Sequence, residues 1–444
     1  MLKRMMLTVL AVMLVLAIAA CGSDGGNGNS SGGGPSSAGS GGSGSSGGSG
    51  GQAAKKVVLE YWHTYSDAEE KVLLEEIKPL FETEHPNIEL NITRMPYEGL
   101  KQQVIAGVAG GAAPDLMRMD IIWVPEFAKL GALQKVNELD GFEELKAQLF
   151  EGPMSTNYYN GDYYGLPLNT NTKVAIYNKK VLESVGLSNP PTTMQELADV
   201  SRQLVKDGKL PGIGISGVHA WALLPYFWSL GGKLTNDDFS QVEGYLNSPE
   251  SIQAVETIAA WHEEGLIIPA VLGGEPSTWD GMKKHEYLMI DDGPWFYSIL
   301  MGEASEEFDV LRDTVRGLIP AGPAGSHSVI GGENLVIFTG SKHTEEAWTF
   351  ARWMLGEEPQ KIMSKVGMIP TNIKAANEPT FLEVPYMKEY VEQLETALPR
   401  TPNPQWGEME GIFNLAVEKV LRGESDVTTA LNQATQQIEA ILKE

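Results

Sequence analysis

Apolar and polar positions along the chain follow two periods. Val57-Val58-Leu59-Glu60-Tyr61-Trp62 is a strand-length apolar run, and Ile88, Leu90 and Ile92 alternate at period two, so both predict strands. Between them Ser66-Asp67-Ala68-Glu69 has capping-box spacing, and Leu73, Ile77, Leu80 and Phe81 share one helical face. Leu100 to Val108 predicts a second helix, and Pro114-Asp115-Leu116-Met117 opens a third strand. This alternation predicts a parallel α/β lobe. Groups past the carboxyl ends of such strands face a ligand crevice, which singles out His63, Thr64 and Tyr65 after the first strand and Asp120 and Trp123 beyond the third.

A second pattern lies at His285 to Tyr297. Tyr287 to Ile290 is too short for a helix and is stopped by Asp291-Asp292-Gly293-Pro294, which predicts a buried strand ending in a turn, with Trp295 just past it. A flat indole beside carboxylates suits a sugar, whose ring faces present C–H and whose rims present hydroxyls. A core strand with a Trp plugging a loop gives the same letters, and Asp291 and Asp292 also suit a turn that binds nothing.

The amino-terminal end changes the picture. Lys3 and Arg4 precede an uncharged apolar run, Met5 to Ala20, shorter than the ~20 residues that span a bilayer, so it reads as an export signal. Ile18-Ala19-Ala20-Cys21 resembles a bacterial lipoprotein signal, which implies lipid attachment at Cys21 and anchoring on the extracellular face of the cell membrane. Cys21 is the only cysteine, so a disulfide scaffold, a thiol catalyst and a Cys-based metal site are excluded. Residues 21–54 are nearly all Gly and Ser, a flexible tether with a reach of roughly 30 Å. The formal net charge of −25 argues against nucleic acid as a partner. Ten Trp and fourteen Tyr leave enough rings for a sugar site after the core has taken its share.

Further along, Tyr164-Gly165-Leu166-Pro167, an extended polar crossover, Ile176-Tyr177-Asn178-Lys179 and Pro191-Thr192-Thr193 come in order. Asp292-Gly293-Pro294-Trp295, Gly331-Gly332-Glu333-Asn334, Glu345-Glu346-Ala347-Trp348 and Gly367-Met368-Ile369-Pro370-Thr371 follow. From about Val57 to Leu442 this ordered set resembles the extracellular solute-binding proteins of family 1, the sugar receptors of ATP-driven importers, including the maltose-binding proteins. The resemblance implies a two-lobed α/β fold of the periplasmic-binding-protein type, with discontinuous lobes joined by hinge crossovers. Its expected divisions are 57–169, 170–329, 330–378 and 379–444, with crossovers near Leu168 to Thr172, Ser328 to Gly332 and between Thr371 and Tyr386. Gly331-Gly332 suits a hinge because glycine absorbs backbone change at low steric cost; a tight turn uses the same pair.

Matched position by position, the resemblance implies a stacking role for Trp295, and it puts His219 and Trp221 where the maltose binders have a carboxylate and a ring. His219 and Asn171 both replace carboxylates of those relatives, and Trp406 falls near a further ring. Tyr65, Asp120, Trp123, Asp292, Gly332 and Asn334 complete the expected site, with Asn171, His219, Asp120 and Asn334 selecting hydroxyl geometry. His219 also suits a satisfied loop histidine, Trp221 and Trp228 compete for one role, and Trp261 and Trp348 lie at core spacing on helices. The expected function is capture of a mono- or oligosaccharide by a monomer that delivers it to the membrane subunits of the importer, without cofactor, metal or covalent chemistry. A secreted glycosidase, using Asp120 with Asp292 or Glu333, and a receptor for a polyol or peptide are the rivals. The sequence has no metal-ligand spacing, nucleophile elbow or phosphate loop.

Overall fold

Two larger sheets organise residues 56–443, the part of the chain that the computed structural model describes. The expected signal 1–20, Cys21 and the Gly/Ser stretch to 54 lie outside the described residues. β1 (Val57–His63) is followed by one helical rod, α1 (Asp67–Val72), a π-helical turn at Leu73–Ile77 and α2 (Lys78–Glu84). The capping box forms, with Ser66 N donating to Glu69 Oε2 at 2.7 Å. β2 (Ile88–Arg94), α3 (Leu100–Gly110) and β3 (Leu116–Asp120) complete the alternation read from the sequence, with β1 parallel to both strands.

The next elements are a hairpin, β4 (Tyr158–Tyr159) and β5 (Asp162–Tyr163), whose Asn160-Gly161 turn has positive φ at both residues. Its backbone twist suits an Asn-Gly pair. β6 (Leu166–Asn171) follows, and after only Thr172 and Lys173 the chain enters β7 (Val174–Asn178). β7 is the centre of the second sheet, antiparallel to β8 (Met289–Asp292) and β9 (Thr314–Gly317). The chain returns through β10 (Ser328–Val329) and Ile330 into β11 (Gly331–Ile337), which lies antiparallel between β3 and β6. The first sheet therefore runs β2-β1-β3-β11-β6 and is mixed, where the local alternation predicted a parallel one. Its one antiparallel strand, β11, arrives from distant sequence, which short-range periodicity does not register.

Each sheet has its own core. Leu59, Tyr61, Leu116, Leu335 and Phe350 pack in the first, and Tyr177, Leu197, Phe227 and Phe413 in the second. In the second lobe α4 (Ala220–Ser229) is buried over nine of its ten residues, consistent with its apolar character all round. It packs against α6 (Trp406–Leu421), which pairs in turn with α7 (Val427–Leu442), while α5 (Trp295–Leu300) starts directly behind β8. A further segment, Ile369 to Asn372, lies against the first lobe, and Ile373 N after it donates to Gln148 O at 2.9 Å. Thr170 N donates to Ile369 O at 3.1 Å and Phe150 N to Thr371 O at 3.0 Å, and beyond it Phe381, Tyr386 and Tyr390 pack with Ile176, Ile290 and Phe296. The fold is a two-lobed α/β fold.

Some local expectations differ. Asp291 and Asp292 are strand residues paired with Ala175 and Val174, not turn formers, because the buried Lys173 makes a carboxylate tolerable inside the sheet. Asp120 ends β3 instead of lying past it.

Candidate functional site

The register of β3 against β11 sets Asp120 opposite Glu333. Like charges facing each other across strands are unfavourable, and each carboxylate here meets a guanidinium. Arg118, which shares a face with Asp120 two residues on, places Nη2 2.8 Å from Glu333 Oε2, and Arg400 brings Nη2 to 3.9 Å from Asp120 Oδ1. Glu333 also accepts from Asn169 Nδ2 at 2.7 Å, and Asp120 from Tyr97 Oη at 2.8 Å and Ile122 N at 3.1 Å. Burial raises the proton affinity of Glu333, opposed by Arg118. Arg118 lies 4.5 Å from the Tyr65 ring centre and donates to Thr64 Oγ1 at 2.5 Å.

The facing wall is aromatic. Trp221, in the first turn of α4, and Trp295, the first residue of α5, have ring centres 6.0 Å apart at 31°. Glycine makes this packing possible: a Cβ on Gly331 would meet Asn171 Oδ1 and come within 2.8 Å of the Trp221 ring, and one on Gly293 would strike the Trp295 indole. The Arg400 guanidinium stands 5.2 Å from the Trp221 centre and Lys173 Nζ 5.7 Å from it, within cation–π range. Lys173, 1% exposed, pairs with Asp291 and donates to Trp221 O at 3.2 Å, so one ammonium ties the crossover after β6 to β8 and α4.

Burial pushes the Asp292 carboxyl up to about 6, opposed by Lys173; its oxygens accept from Trp279 Nε1 at 2.6 Å and Gly293 N at 2.8 Å. His219 caps α4 through Nδ1, which accepts from Ala222 N at 3.3 Å, and burial with the Lys173 charge lowers its pKa to about 4. It is therefore a neutral ring at physiological pH. Glu410 accepts from Ala220 N at 3.2 Å; burial raises its pKa and Arg400 opposes the rise. Asn169 Oδ1, Asn171 Oδ1 and Arg400 Nε are buried in this region without a hydrogen-bond partner. Such atoms are uncommon in folded proteins and mark places where a ligand or water belongs.

The structure thus brings Asp120, Asn171, Trp221, Trp295 and the Gly331-Gly332 pair into one region, and Trp123 joins its edge by stacking on Tyr97 at 5.4 Å. Other expected residues lie elsewhere. Tyr65 is fully buried behind Arg118. Asn334 is fully buried and exchanges hydrogen bonds with Thr156 and accepts from Asn157, on the far side of a register shift that separates it from Glu333. Trp406 is 3% exposed in the second lobe's core. Asp292 accepts from Trp279 Nε1 and Gly293 N, and His219 uses Nδ1 on its cap.

Arg400, Glu410, Tyr97, Lys173 and Arg118 were not singled out by sequence reasoning. Arg400 carried one weak signal, a charge held between prolines in Leu398-Pro399-Arg400-Thr401-Pro402. Beside the tryptophans, a cavity of about 390 Å³ opens between Ile122, Tyr158 and Tyr159 of the first lobe and Phe239, Arg400 and Pro402 of the second.

The family model of bacterial extracellular solute-binding proteins matches residues 63–361. A putative binding protein of Brucella abortus is 27% identical over 378 residues, 83% of this chain and 89% of that protein. The maltotriose-binding protein of Pyrococcus abyssi is 24% identical over 402 residues, 86% of this chain and 82% of that protein. Among solved structures, the GacH receptor of Streptomyces glaucescens, determined unliganded and with acarbose, superposes with a TM-score of 0.78 at 21% identity, covering 88% of this chain and 99% of that one.

Proposed function

The chain belongs to the bacterial extracellular solute-binding proteins, and from that premise we propose that it is a lipid-anchored receptor that captures a mono- or oligosaccharide between its lobes and hands it to an ABC importer. The observation that carries the reading is the Trp221–Trp295 pair facing a set of buried polar atoms, several of them unpartnered. Indole faces bury the apolar side of a sugar ring, while Asn171 Oδ1 accepts from a hydroxyl and Arg400 donates to one. The maltotriose-binding relative supports carbohydrate as the solute class.

The carboxylates favour binding over hydrolysis. Glu333 is held by Arg118 and Asn169, and Asp120 by Tyr97 and a backbone N–H, so neither has the free geometry of a general acid paired with a nucleophile. In the proposed cycle the crossovers near Leu168 to Thr172, Ser328 to Gly332 and between Thr371 and Tyr386 act as the hinge between lobes made of 57–169 with 330–378 and of 170–329 with 379–444. A ligand touching both lobes binds the closed arrangement better and shifts the population toward it, and the importer reads closure. Acylation of Cys21 would keep the monomer at the membrane; among the described residues no helix is long and apolar enough to cross one.

A thermal-shift screen of sugars, polyols and peptides tests this reading. A ligand at a hundred times its Kd stabilises the folded state by about 2.7 kcal/mol, so the midpoint should climb with concentration for a carbohydrate. A shift produced only by polyols or peptides, or appearance of shortened oligosaccharides on incubation, would overturn it.

A further inference from the structure

The cavity between the lobes is not walled by the tryptophan pair; Arg400 belongs to both. Its volume of about 390 Å³ falls within the roughly 300–1,000 Å³ typical of small-molecule sites. One side is Ile122 with the hairpin residues Tyr158 and Tyr159, and the other is Phe239 and Arg400. Two independent observations distinguish it from a packing gap. The Arg400 side chain is 8% exposed, its Nε finds no acceptor, and its nearest carboxylate oxygen stands at 3.9 Å, beyond hydrogen-bond distance. A buried donor left so costs about 1–3 kcal/mol unless a ligand or water accepts from it. Phe239 sits at φ +60°, a region bulky side chains avoid. Asn236 Oδ1 fixes that turn by accepting from Ser240 N and Gln241 N, both at 2.9 Å. A second cavity, of about 320 Å³, shares the Phe239, Pro399 and Thr401 wall, so the ring stands where two spaces meet.

We propose that Tyr158, Tyr159, Phe239 and Arg400 form an outer subsite for a further, uncharged unit of an oligosaccharide whose first unit lies at Trp221 and Trp295. Chain length is then a property the protein selects. The inference rests on the carbohydrate reading above. Charge sets the class of unit: Asp238 on the cavity wall and Asp120 beside Arg400 together outnumber its single positive charge, so an acidic sugar is repelled, whereas hydroxyl oxygens accept from Arg400 and ring faces stack on tyrosine and phenylalanine.

Calorimetric titration of the whole chain with length series tests it: gluco-, xylo-, galacto- and chito-oligosaccharides from one to four units, and trigalacturonate. In the series that binds, affinity should rise at least tenfold from the shortest to the longest member. Phe239→Gly removes the ring while giving the turn the residue that φ +60° prefers, so its thermal midpoint should match or exceed that of the parent. This variant should lose fivefold or more of the affinity for three- and four-unit ligands and far less for one unit, and Arg400→Met, which faces both places, should weaken every length. Equal affinity at all lengths, an equal loss at all lengths in Phe239→Gly, or tightest binding of trigalacturonate would overturn the subsite. Binding of no carbohydrate at any length would remove the carbohydrate reading itself, an outcome distinct from these.

Discussion

Trp295 is the residue on which the proposed recognition leans most, because it pairs a partly exposed indole with a position directly behind β8. Trp295→Ala should weaken the best carbohydrate ligand at least about tenfold, roughly 1.4 kcal/mol, with the unliganded protein still folded; isothermal titration and circular dichroism check both halves, and unchanged affinity would take Trp295 out of the site. His63 offers a test by pH. Burial, then Arg118 and Arg94, lower its pKa to about 4 from an ordinary 6.5, against the opposing pull of Glu70 Oε1 3.4 Å from Nε2, so the fold favours the neutral ring. The unfolded chain therefore binds more protons between those values. The stability that His63 contributes is complete above about pH 6.5 and drains away as pH falls toward 4, by about 3 kcal/mol. His63→Asn keeps an acceptor for Tyr65 N, which bonds to Nδ1 at 3.2 Å, and removes the titration. Denaturant unfolding at pH 7 and 4.5 should show the parent losing more stability than the variant; equal losses would deny His63 this role.

At the scale of elements, the passage from β6 to β7 is the most demanding stretch. Two residues separate the sheets, and one of them buries an ammonium against Asp291 on β8. Removing one member of a buried pair strands the other charge, so Lys173→Met should destabilise by about 3–5 kcal/mol, and Lys173→Met with Asp291→Leu should recover most of it. Chemical denaturation of the three proteins decides; a double variant no better than the single would show that the pair does more than neutralise charge. The sequence made β1 through β3 and their helices legible because hydrophobic period and capping are local. It did not reveal β11 between β3 and β6, nor that the Asp291-Asp292 pair continues a strand, because the partners stand more than a hundred residues away. The Asn160-Gly161 hairpin was available as a signal and would have pointed to Tyr158 and Tyr159.

For the molecule as a whole, the proposed closure predicts a change of shape. The expected crossovers near Leu168 to Thr172 and Ser328 to Gly332 run side by side through the pairing of β6 with β11. Small-angle scattering should show the radius of gyration falling when a saturating carbohydrate is added, and no change with a ligand known to be bound would argue against closure as the message to an importer.

The sequence by itself determined the α/β character and the two-lobed family, since each is written in contiguous letters or in their order, and it raised the expectation of an export leader and of a role for the Gly-Pro-Trp segment. It also indicated aromatic rings without saying which would meet. Only tertiary structure decided that Trp221 faces Trp295 while Trp406 enters the core, that Asn334 turns inward while Glu333 turns toward Arg118, and that Arg400 stands between both lobes. The reason is physical: the direction of a side chain depends on register, strand parity and helix phase fixed by distant partners, and a one-residue difference in any of them exchanges a site residue for a core residue.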